Sequence, residues 1–180
     1  MEIANIIIAI LALIVAIIAI YISIRQARKS DNIALMGLKI DFYNGLCGIM
    51  KRYEMLAEFR MMINAKNSQL VFPQGQKSNL AGVVLSSIGK GDVVLGLQQI
   101  TNDLNFLDIN KYLFDEEIIL KIDQIIRLLN ELQKISIGCL AKKNTENELQ
   151  AVLDSLRNIL KNAETDLMEK IKIDIATKKV

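Results

Sequence analysis

Hydrophobic residues fall along this chain in three arrangements. From Ile3 to Ile24 the run is unbroken and uncharged, with Glu2 before it and Arg25, Arg28 and Lys29 after it. As a helix rising about 1.5 Å per residue, such a run covers roughly 33 Å, enough for a hydrocarbon core of about 30 Å. A cleavable leader would carry positive charge ahead of the apolar stretch and finish at small residues, whereas this one runs into Tyr21-Ile22-Ser23-Ile24. It is therefore expected to remain as a permanent anchor in a lipid bilayer. Basic residues just beyond a span stay in the cytoplasm, which places the N-terminus outside and the rest of the chain inside.

The second arrangement lies within the first. Asn5, Ala9, Ala12, Ala16, Ala19 and Ser23 recur at steps of four and three, on one heptad seam that Gln26 and Ser30 prolong. Small side chains on one stripe let helix backbones approach closely in lipid, and polar residues at its ends can pair across the contact. A 3.5-residue period held this long is the mark of supercoiling helices, so the span is expected to self-associate into a homo-oligomer.

The third arrangement is an amphipathic helical period from Asp31 onward. Ile33, Met36, Ile40, Tyr43, Cys47, Met50, Tyr53 and Ala57 form one expected apolar face on a helix running to about Ala65 and continuing the span, weakened at Gly37, Gly45 and Gly48. Residues 66 to 79, around Pro73, read as a loop. Two shorter helices follow, Ser78 to Ile88 and Asp92 to Leu107, N-capped by Ser78 and Asp92 and separated by Gly89-Lys90-Gly91. Asp115, with Glu116 and Glu117, opens a longer helix whose face is Ile118, Ile122, Ile125, Leu129, Leu132, Ser136 and Cys139. Thr145 and Glu148 make a capping box for a last helix with the stripe Leu149, Val152, Leu156, Leu160, Ala163, Leu167 and Ile171. The short link between these two predicts an antiparallel hairpin. With one proline and few period-two runs, the expected class is all-α: an N-terminal transmembrane helix continuing into a cytosolic helical bundle. The expected division is 1–30 for the anchor and basic juxtamembrane segment, and 31–180 for the cytosolic domain.

Composition removes most catalytic chemistry. The chain has no histidine, which excludes Ser-His and Cys-His nucleophile pairs and the HExxH metal motif. No enzyme activity, cofactor or metal is expected. Asp115, Glu116 and Glu117 favour the helix dipole and point in different directions, so they read as structural. Cys47 and Cys139 fall on apolar faces of a cytosolic domain and read as buried thiols. Gly82 to Asp92 superficially has the look of a phosphate loop but fails the pattern, with six residues between Gly82 and Gly89 and no Ser or Thr after Lys90.

Charge leaves one opening. The net charge is +2, yet residues 25 to 66 hold eight Lys or Arg against four acids. That excess suits anionic lipid headgroups or a small anionic ligand. Candidate donors are Lys51, Arg52 and Arg60 on the membrane-proximal helix, and Lys77 and Lys90 near the loops. Lys90 ranks first, because flanking glycines let backbone amides approach a phosphate as well. With no aromatic stacking platform and no basic stripe, double-stranded nucleic acid is not an expected partner.

Two classes of function fit these features: a ligand-controlled membrane effector, or a non-signalling anchor that holds a cytosolic protein partner. In layout and size the chain resembles the single-span CRISPR-associated membrane effectors, small bacterial proteins whose cytosolic part binds a cyclic oligoadenylate made during infection. The resemblance rests on no residue motif and transfers no binding residues. It implies an oligomer in the bacterial cytoplasmic membrane, a nucleotide second messenger as ligand, and a role in antiviral defence.

Overall fold

The computed structural model describes the backbone of residues 2–65 and 80–177, and the side chains of 13–56 and 80–177. All regular structure among them is helical: α1 (Glu2–Ala65), α2 (Leu80–Ile88), α3 (Val93–Asn110), a 3-10 turn (Lys111–Leu113), α4 (Glu116–Leu140), α5 (Glu146–Thr165) and α6 (Leu167–Thr177). The chain divides after Ile40 into two compact units.

In the first unit, every residue from Leu13 to Ile24 is exposed, Ile and Leu included. A contiguous apolar surface of this kind is unstable in water and stable in hydrocarbon. By length and composition α1 can cross a membrane. The helix continues without a break past the basic cluster, as the sequence pattern predicts.

The second unit is built around one core to which α1 through α6 all contribute. Ile118, Ile122, Ile125, Leu129 and Leu132 of α4 pack in this core with Leu149, Val152, Leu156 and Leu160 of α5. Their antiparallel order shows at both ends of the hairpin. Lys121 and Glu117 near the start of α4 pair with Asp166 and Lys170 at the far end of α5 and in α6. At the other end the Cys139 thiol donates to the Thr145 carbonyl at 3.3 Å. Asp92, Asp115 and Thr145 cap α3, α4 and α5, and Thr145 with Glu148 forms the capping box. Ser78, the expected cap of α2, lies outside the described residues; the Leu80 amide donates instead to the Glu146 carboxylate of α5 at 3.1 Å.

Two expectations need correction. The last helix is divided at Asp166, although the amides of Asp166 and Lys170 still donate to carbonyls four residues earlier, so the joint interrupts little of the helical bonding. The buried face of α1 is also partly different. Met50 and Tyr53 are buried as expected and Tyr43 and Cys47 half-buried, but Phe42, Leu46, Ile49 and Leu56 join them in the core, whereas Ile33 and Ile40 are exposed. Gly45 is the reason a glycine belongs on this face: a Cβ there would lie 2.3 Å from the Phe106 ring, which stacks on Phe42 with centroids 5.6 Å apart.

Candidate functional site

Among the described residues the most developed polar cluster joins α1 to α3. Asp103 sits on α3 in register with Ile100, Leu104 and Leu107, and its side chain is only 6% exposed. A carboxylate there is costly unless donors surround it. Three do. Arg52 of α1 forms a charge-assisted bond to Oδ2, the Tyr53 hydroxyl donates to the same oxygen at 2.9 Å, and Gln99 donates to Oδ1 at 2.9 Å. Burial first, and then the neighbouring Asp103 charge, push the Tyr53 hydroxyl far above its ordinary pKa, so it remains a neutral donor.

This cluster engages one expected ligand donor. Arg52 pairs with Asp103, and its neighbour Lys51 is exposed. The side chain of Arg60 and the whole of Lys77 lie outside the described residues.

The Lys90 turn has its own logic. The Gly91 amide donates to the Ser86 carbonyl at 2.7 Å, closing α2 with a Schellman motif in which Lys90 occupies the left-handed position, φ 54°. The Lys142 turn after α4 repeats this arrangement, with φ 56° and the Lys143 amide bonded to the Gly138 carbonyl at 2.7 Å. At the start of α3 the Asp92 carboxylate accepts from the amides of Val94 and Leu95 at 2.7 and 3.0 Å. Those are the donors a phosphate at this helix end would use. The Lys90 ammonium is exposed beside amides that the protein itself has filled.

The two glycines around this turn serve packing. A Cβ on Gly96 would stand 2.0 Å from the Leu85 carbonyl oxygen, and one on Gly89 2.0 Å from the Asp92 carbonyl oxygen. α2 and the following helix therefore meet backbone against backbone, with a bend of 63° between them. Although this pair is apolar and long enough to resemble a broken span, its Ala81, Val84, Leu85, Ile88, Ile100 and Leu107 are spent in the core.

The remaining chemistry-bearing residues have structural partners. Asp115 caps α4 by accepting from the Ile118 amide at 3.0 Å, and Glu117 pairs with Lys170. Cys47 is half-buried and Cys139 buried, with burial raising the Cys139 pKa. Of the expected span seam, Ala16, Ala19 and Ser23 are exposed, while the side chains of Asn5, Ala9 and Ala12 lie outside the described residues.

Sequence reasoning missed Asp103 and Gln99. The available signal was a carboxylate at the buried spacing between Ile100 and Leu107, which demands a cation from elsewhere in the fold. Comparisons with protein-family models, with curated proteins and with solved structures gave no match.

Proposed function

We propose that this protein is an oligomeric membrane-anchored effector of a bacterial cytoplasmic membrane. Its N-terminus lies outside and its helical domain lies in the cytoplasm, where binding of an anionic ligand changes the state of the spans. The observation that carries the reading is the unbroken α1, one helix from the apolar stretch into the core of the helical domain. A ligand that favours one packing of that core thereby acts on the same helix that carries the membrane segment. A nucleotide second messenger of antiviral signalling is the ligand class that the overall layout suggests. No catalytic role is assigned.

A second reading has a specific observation in its favour. Arg52 is neutralised by Asp103 and the amides at the α3 N-terminus are filled by Asp92, which suits a scaffold that holds a protein partner at the membrane. Purifying the full chain in detergent, measuring its mass, and screening cyclic and linear nucleotides by thermal shift separates the two. The effector predicts an oligomer and a stabilisation of about 2.7 kcal/mol at a hundredfold excess of ligand over Kd. Lys90→Glu should remove that shift while leaving helix content and mass unchanged, because Lys90 is exposed in a turn. An inert monomer would support the scaffold.

A further inference from the structure

We infer that α3 and α4 present a groove, apolar with a basic rim, that docks an acidic amphipathic helix of another protein. Such a surface stands whether or not a ligand acts on the spans, and so goes beyond both functional readings. Two cross-helix bonds fix its geometry. Lys111 bonds Asp123 at 2.9 Å, and Gln133 donates to the Thr101 hydroxyl at 2.8 Å, so a step back along α3 answers to an equal step forward along α4. The same antiparallel register sets Leu97 against Ile137 and Val94 against Leu140. Val94 is 70%, Ile137 48% and Leu140 40% exposed, and Leu97 is half-buried. Single exposed apolar side chains are ordinary, whereas two facing rows of them make a patch that water disfavours.

Charge on the rim selects the partner. Lys90 stands one turn before Val94, Lys134 one turn before Ile137, and Lys142 and Lys143 follow Leu140 in the turn that closes α4. All four are exposed, and among the described residues none of them has an ion-pair partner, whereas Lys111, Lys121 and Lys170 at the other end of α4 are all paired. Asp92 and Glu131 are the acids on the same stretches. Asp92 is spent on the amides of Val94 and Leu95, which leaves a basic excess around the apolar rows. Glu146 and Glu148, beyond the turn, hold the Leu80 and Thr145 amides. Two antiparallel helices leave between them a groove that a third helix fills with apolar residues at i, i+3 or i+4, and i+7, and acids flanking that stripe meet the lysines. A lipid surface fits less well. The chain enters this unit at Asp41, where Phe42 stacks on Phe106 and packs 5.0 Å from Phe114 beyond the C-terminus of α3, while the groove lies toward the N-terminus of α3 and the C-terminus of α4.

Site-specific photo-crosslinking of the full chain in its native cells tests this. A benzophenone side chain replaces Ile137 or, as a control, Leu120, which is 56% exposed near the other end of α4 behind Glu116 and Glu117. Adducts are digested and sequenced by mass spectrometry. The groove predicts an adduct at Ile137, several-fold above Leu120, whose crosslinked segment belongs to another protein, carries more Asp and Glu than Lys and Arg, and spaces its apolar residues by three and four. A synthetic peptide of that segment should bind the purified chain in detergent, and Lys134→Glu with Lys143→Glu should weaken it several-fold while leaving helix content unchanged. Adducts at Ile137 with lipid or with a second copy of this chain, a basic protein segment there, or a yield no higher than at Leu120 would each overturn the inference. So would a peptide that binds the lysine variant as tightly as the wild type.

Discussion

Gly96→Ala is expected to destabilise the helical domain by about 2–3 kcal/mol, even though alanine is the better helix former by about 1 kcal/mol. The added methyl would stand 2.0 Å from the Leu85 carbonyl oxygen and 3.0 Å from its Cα. Because these are backbone atoms, no rotamer change relieves the overlap, and α2 and α3 have to separate. Gly82→Ala supplies the control. That glycine lies inside α2 with nothing within 4 Å of an added Cβ, so the same substitution should stabilise by about 0.5–1 kcal/mol. Urea unfolding of the two variants in detergent, followed by helical circular dichroism, should move their midpoints in opposite directions. Equal midpoints would show that α2 and α3 do not meet through Gly96.

Asp103→Ala carries the second large effect, a loss of about 3–5 kcal/mol. Removing the carboxylate leaves the Arg52 guanidinium without its counter-charge and the buried Tyr53 hydroxyl without an acceptor. Most of the loss is the cost of those stranded groups. The triple variant Arg52→Met, Tyr53→Phe, Asp103→Leu replaces the cluster with apolar volume and should regain most of the stability. A triple variant no more stable than Asp103→Ala would mean that the three side chains are not one coupled unit. The cluster ties α1 to α3, so the effector reading further expects the triple variant to be folded yet altered in its ligand response.

What the sequence made legible was what local physics decides. The capping carboxylates of Asp92 and Asp115, the box of Thr145 and Glu148, and the stripes of α4 and α5 each depend on residues within a turn or two of one another. The continuity of α1 through Gly37, Gly45 and Gly48 was legible for the same reason. Tertiary approach was not. Gly45, Gly89 and Gly96 look like weak points in a helical pattern, and their purpose appears only when Phe106 or the backbone of a neighbouring helix occupies the missing methyl's place. On α1 Phe42, Leu46 and Ile49 go to the core, while Ile33 and Ile40, at similar helical spacing a few residues earlier, stay exposed. Residue spacing alone could not tell them apart. Lys90 owes its candidacy to its flanking glycines, which the structure spends on a Schellman cap and a tight helix crossing.

Fusing a reporter active only in the periplasm, and separately one active only in the cytoplasm, after Val180 of the full chain tests the placement of α1 most directly. With Glu2 on one side of the apolar stretch and Arg25, Arg28 and Lys29 on the other, the cytoplasmic reporter should be active, the periplasmic one silent, and the protein should stay with membranes washed at high pH. Full periplasmic activity, or release of the chain into the soluble fraction, would contradict a cytoplasmic helical domain held to the membrane by α1.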